Sequence, residues 1–203
     1  MEDTDEGYVL EQGTWHLLEH LFGRTIFHSP QIPDGESTRE LTDIFAFCCV
    51  GLCFFETKAM AVLSTAPDRS TERRARNIEK QIGKGLDQLR GAMRRLEKGL
   101  PLWSKAGTPI VVPSTAGPFR HGIVMVSELL PALDWMTITA RLLSLSSDTT
   151  MFHVLDHQEL RLLVGVSKDN PVLFLAYLLY RHERMCEHNN ALMRMKLDGP
   201  PLP

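Results

Sequence analysis

Between Ile44 and Phe55 the chain runs through twelve consecutive apolar or small residues, with Asp43 before the run and Glu56 and Lys58 after it. The run is too short to span a bilayer and too rich in aromatics and glycine for a good helix, so it predicts two buried strands reversing at Val50-Gly51. Facing residue numbers across such a ladder sum to about 101, and side chains alternate faces with a period of two. Asp43 then opposes Lys58 and Phe45 opposes Glu56. All three charged groups share one face, with the two carboxylates roughly 5 to 8 Å apart at Cβ.

Trp15, Leu18, Leu21 and Phe22 form the apolar side of a helix that Thr14 can cap and Gly23 stops, with a start as early as Tyr8 favoured. Residues 24–29 read as a short strand and residues 30–38, with two prolines, as a loop. The clearest helix follows the hairpin: Ala75, Ile78, Ile82, Leu86, Leu89, Met93, Leu96 and Leu100 recur at spacings of three and four, and Gly99 and Pro101 end it. Residues 108–112 then read as a buried strand between prolines, and residues 121–126 as another. A helix crossing between apolar strands implies a parallel pair in a mixed sheet.

From Glu128 the pattern is mostly helical, with a further unit starting near Met151. Asp156 and Glu159 form a capping-box pattern over residues 157–164, Asn170-Pro171 opens an apolar helix through Tyr180, and the Gly-Pro-Pro-Leu-Pro end is a frayed tail. The expected fold class is therefore α/β. A mixed central sheet with flanking helices occupies residues 1–127, and a mainly helical C-terminal extension, residues 128–203, packs on it.

At 203 residues the chain can bury a full core. Its net charge of -3 excludes a uniformly basic coat, but the distribution is uneven. Glu2, Asp3, Asp5, Glu6, Glu11 and Glu19 precede the first cation, Arg24, whereas the segment from Arg69 to Lys98 has an excess of Arg and Lys. Of the four cysteines, Cys48, Cys49 and Cys53 sit inside the apolar run rather than in a disulfide framework. A reducing compartment is the simpler reading. The opening acids do not make a secretory signal, so a cytoplasmic protein without a membrane segment is expected.

Asp43 with Glu56-Thr57-Lys58 is the leading chemical constellation. Two carboxylates a few ångströms apart repel unless a cation lies between them. Hard oxygens suit Mg²⁺ or Mn²⁺, and a lysine beside such an ion can position a water and neutralise phosphoryl charge. The plain alternative is a buried ion pair of Lys58 with Asp43 or Glu56. Desolvating three charges costs several kcal/mol per ion, which weighs against that reading.

With those residues in place, the chain resembles the PD-(D/E)XK restriction-endonuclease-like nuclease superfamily over about residues 8–126. The resemblance rests on an N-terminal helix carrying an acid (Glu11 or Glu19), the strand with Asp43, the Glu56-Thr57-Lys58 strand, the long helix and a further strand. It implies a restriction-endonuclease-like core and a metal-dependent nuclease. Asp43, Glu56 and the Thr57 backbone carbonyl would hold Mg²⁺ or Mn²⁺, Lys58 would help activate water, and Glu11 would be an auxiliary acid. Thr42 stands where the family's name has proline. Gln81 matches a glutamine of some members, but Gly85 replaces the tyrosine that follows it there.

The expected partner is nucleic acid, DNA ahead of RNA, with Arg73, Arg74, Arg76, Lys80 and Lys84 on the backbone phosphates. A homo-oligomer or a partner protein is compatible with this. A catalytically silent binding or assembly subunit is the alternative. A more distant one is a zinc metallopeptidase through His16, Glu19 and His20, whose pattern needs a third ligand elsewhere. His182, Cys186 and His188 lack a fourth ligand nearby, and Gly83-Lys84-Gly85 is not a phosphate-binding loop.

Overall fold

A computed structural model describes residues 6–58 and 71–192. Glu2, Asp3, Asp5, Arg69 and the Gly-Pro-Pro-Leu-Pro end lie outside the described residues. Helix α1 (Glu6–Phe22) leads through a single 3-10 turn into β1 (Ile26–His28), and a hairpin of β2 (Gln31–Asp34) and β3 (Ser37–Glu40) follows. The apolar run forms β4 (Ile44–Phe47) and β5 (Gly51–Lys58). Helix α2 (Thr71–Glu97), the short strands β6 (Leu102–Trp103) and β7 (Pro109–Ile110), and β8 (Phe119–Val126) come next. The remainder is α3 (Trp135–Leu145), β9 (Thr150–Asp156), α4 (His157–Ser167) and α5 (Pro171–His188).

The main sheet is five-stranded and mixed, in the order β1-β4-β5-β8-β9. β1, β4 and β5 are antiparallel neighbours, whereas β5, β8 and β9 run parallel. The parallel β5–β8 step is the one α2 spans, as a long connection requires. Even-numbered residues of β5 and β8 face α2: Leu52, Phe54, Val124 and Val126 share a core cluster with Ile78, Ile82, Leu86 and Leu89. Odd-numbered residues Cys53, Phe55, Ile123 and Met125 pack with Leu18 of α1, Leu160 of α4 and Phe174 and Leu178 of α5. The result is three layers, helix on sheet on helix.

Gly85 fixes how closely α2 approaches. A Cβ there would lie 3.0 Å from both Val124 methyls and 3.5 Å from Lys58 Cγ. A tyrosine has no room at this position.

Several expectations need correction. Thr14 does not cap α1 but lies inside it, its hydroxyl donating to the Leu10 carbonyl at 2.8 Å. The expected loop over residues 30–38 is the β2–β3 hairpin, closed by a two-residue turn in which Gly35 takes φ 65°. Pro33 is tolerated because β6 pairs with β2 only at Gln31, so no ladder bond falls at the missing N–H. Residues 108–112 are not a buried strand: only Pro109 and Ile110 pair, in a small four-stranded surface sheet, and Val111 is exposed. The C-terminal part is helical in α3, α4 and α5, but it also contributes β9 to the main sheet. The caps over the last two helices form as read, Asp156 accepting from the Glu159 N–H at 2.7 Å and Asn170 from the Val172 N–H at 2.9 Å.

On the α4–α5 side the sheet buries polar groups. His121 of β8 and His153 of β9 stack, with Nδ1 of the first 3.1 Å from Nε2 of the second, and His182 of α5 meets His153 edge-on. Burial, and then the charge of His182, pushes the His121 pKa down to about 3. His153 is also driven well below its usual value, by burial first and then by His121, Arg181 and His182. Arg181 is itself buried, with Nε 2.8 Å from Glu159 Oε1 and Nη2 donating to the carbonyls of Val154 and Ala191. No helix among the described residues is long and apolar enough to cross a membrane.

Candidate functional site

The register of the β4–β5 hairpin differs from the expected one. Ile44 faces Phe55 and Phe47 faces Leu52, and the Cys48 N–H donates to the Gly51 carbonyl at 2.9 Å. The turn thus begins earlier than Val50-Gly51, because Gly51 already belongs to β5. Continued one step beyond β4, the ladder sets Asp43 opposite Glu56 rather than Lys58. The displacement is even, so Asp43 stays on the face that Glu56 and Lys58 share.

Each group is held by identifiable bonds. Lys58 Nζ lies 2.8 Å from Glu56 Oε2, and their side chains are only 15% and 3% exposed. Asp43 sits just before β4, where its Oδ2 accepts from the Thr57 N–H at 2.6 Å and from the Thr57 hydroxyl at 2.7 Å. The Ser29 N–H donates to the Asp43 carbonyl, and the Thr42 hydroxyl donates to the Phe55 carbonyl. These bonds clamp the end of the hairpin.

Burial pushes the Glu56 carboxyl up to about 7; the negative charge of Asp43 adds to that, and Lys58 opposes it. Here desolvation outweighs the ion pair. Glu40, at the end of β3, is the residue that sequence reasoning missed. Its carboxyl also rises to about 7, through desolvation, then through the charge of Asp43 and a hydrogen bond to it, with Glu11 and Glu56 adding repulsion. Glu40 is an exposed residue, so water screens part of this effect. The only sequence signal for it was its position three residues before Asp43.

Glu40, Asp43 and Glu56 open onto a cleft of about 570 Å³ whose far wall is the C-terminal half of α2, with Gln88, Gly91 and Arg95. Gln88 lines this cleft and Gln81 does not. Glu11 stands close by, with Oε1 2.5 Å from His28 Nε2. Arg73, Arg76, Lys80 and Lys84 are exposed on the N-terminal half of α2, Arg74 pairs with Glu128 at 2.7 Å, and none of the five lines the cleft.

His16 is 71% exposed on α1, 3.4 Å from Glu19, and His20 is exposed beside them. His182 Nε2 is 3.6 Å from Cys186 Sγ, whereas His188 lies against Arg184. Among the described residues no three His, Cys, Asp or Glu side chains are arranged to hold a metal ion by themselves. Mg²⁺ asks for less, since one or two protein carboxylates with water and substrate oxygens suffice. The hard-oxygen pair Asp43 and Glu56, whose mutual repulsion helps hold Glu56 near a pKa of about 7, fits such an ion. No protein-family model, curated protein or solved structure matches this chain.

Proposed function

We propose that this protein is a divalent-metal-dependent phosphodiesterase acting on nucleic acid, built on a restriction-endonuclease-like core. The observation that carries the reading is the convergence at the C-terminal end of β5. Lys58 Nζ stands 2.8 Å from Glu56 Oε2, Asp43 is across the ladder, and the two carboxylates border one cleft. The chain order also supports it: α1, antiparallel β1–β4–β5, a crossing α2 and a parallel β8 follow the sequence of elements in that core.

In this reading Asp43, Glu56 and the Thr57 carbonyl would hold Mg²⁺ or Mn²⁺, which would supply charge neutralisation for the phosphodiester and a more acidic water. Thr57 orients the Asp43 carboxylate through its N–H and hydroxyl. Lys58 balances the Glu56 carboxylate, and its ammonium could turn toward an attacking water or a phosphate oxygen. DNA stands ahead of RNA as substrate. A cytoplasmic location accompanies the reading, supported by four free cysteines.

A silent binding subunit is the second reading, favoured by the way Thr57 and Lys58 already satisfy the two carboxylates. Cleavage of labelled DNA and RNA with Mg²⁺ or Mn²⁺ separates the two. Asp43→Ala, Glu56→Ala and Lys58→Ala are each expected to lower the rate by about a hundredfold or more, and His16→Ala to leave it unchanged. A wild type that binds nucleic acid and cleaves none would select the silent subunit.

A further inference from the structure

The cations expected to hold nucleic acid lie along the N-terminal half of α2, away from the cleft, whereas the cleft itself presents two others. Arg39 comes from β3 and Arg95 from α2, on opposite sides of the opening. Most arginines nearby are engaged: Arg90 and Arg141 with Asp87, Arg120 with Glu97, and Arg74 with Glu128. Arg39 has only a 3.5 Å contact to the exposed Asp34. Arg95 is half-buried, yet among the described residues its guanidinium has no ion pair or hydrogen bond. It folds back one helical turn over Gly91, its Nη1 lying 3.4 Å from where a Cβ would stand.

Gly91 sharpens the point. A glycine inside a helix costs about 1 kcal/mol relative to alanine. At Gly85 the close approach of Val124 explains that cost. At Gly91 no sheet residue comes within 4 Å of the Cβ position, and the residue lines the cleft. Its missing side chain leaves room in the cleft wall beside the Arg95 guanidinium. A half-buried guanidinium without a partner among the described residues, in a cleft that also presents carboxylates, suits an anion that enters with its own counter-cation.

We propose that Arg95 and Arg39 grip a phosphate of the substrate strand across the cleft, over Asp43 and Glu56, and that Gly91 keeps the passage for that strand's backbone. This deepens the nuclease reading and rests on it for the identity of the anion. The guanidinium fork matches two phosphate oxygens, so the contact positions the strand without reading its sequence.

The test is equilibrium binding of a fluorescent oligonucleotide to the full chain in EDTA across a salt titration, beside the cleavage assay. Arg95→Gln is expected to weaken binding about tenfold and to reduce the salt slope by about one, with Arg39→Gln acting in the same direction. Arg95→Lys should retain the slope and recover only part of the affinity, because it loses the fork. Gly91→Leu should block binding as strongly as Arg95→Gln. Arg95→Gln and Arg39→Gln proteins that bind with parental affinity and slope would overturn the proposal even if the wild type cleaves, and so would a wild type that binds no oligonucleotide. Arg95-dependent binding by a wild type that never cleaves would leave the grip standing and overturn the nuclease reading.

Discussion

The His121–His153 pair makes stability depend on pH in a way that can be isolated. Both rings are buried with pKa values held below the ordinary histidine value, His121 at about 3. In the unfolded chain each returns to about 6.5. Below that pH the unfolded state binds protons that the native state refuses, so the native state loses stability as pH falls from about 6.5 toward about 3. Between pH 7.5 and pH 5 the loss from His121 is RT ln(1 + 10^1.5), about 2 kcal/mol, and His153 adds to it in the same direction. Glu56 works in the opposite direction. Its folded pKa of about 7 lies above its ordinary value of 4.5, so its contribution is fully present below about 4.5 and is lost as pH rises through about 7. The wild-type profile therefore mixes the two effects. A His121→Leu/His153→Leu double variant removes both partners of the buried bond at once and leaves Glu56, Arg181 and His182 in place. Urea unfolding followed by tryptophan fluorescence should show the wild type losing at least about 2 kcal/mol more than the double variant between pH 7.5 and pH 5. Parallel profiles for the two proteins would refute the reasoning.

Two further outcomes follow from the packing. Gly85→Ala should lower stability by about 1 kcal/mol, overpacking against Val124 exceeding the gain in helix propensity, whereas Gly91→Ala should raise it by up to about 1 kcal/mol; urea midpoints in the reverse order would contradict both assignments. Arg181→Met should cost about 3 to 5 kcal/mol by leaving Glu159 buried and uncompensated, with much of that recovered in Arg181→Met/Glu159→Leu. An Arg181→Met protein with the parental urea midpoint would count against it.

The elements legible in the sequence were those whose periodicity and punctuation agreed. Helix α2 had a stripe at helical spacing closed by Gly99 and Pro101, and α4 and α5 had caps at Asp156 and Asn170. β9 was not legible, because Met151 to Leu155 is a short apolar run broken by His153, and such runs do not distinguish helix from strand. The β2–β3 hairpin was hidden by its prolines and exposed side chains, since a small surface sheet lacks a buried face to pattern. At the site, the shared face of Asp43, Glu56 and Lys58 was legible because side-chain parity survives an even register shift. Glu40 and Arg95 were not. Their place in the cleft depends on β3 and α2 meeting across the sheet, and spacing along one chain does not contain that distance.

The β4–β5 turn carries a consequence for how this protein tolerates change in length. Inserting or deleting two residues near Cys48 would slide one strand along the other and still present Glu56 and Lys58 to α2. A single-residue insertion or deletion within β5 ahead of Glu56 would turn both charges into the apolar layer occupied by Leu18, Phe55 and Met125. Evolutionary drift in this hairpin is thus free in pairs and closed to single steps.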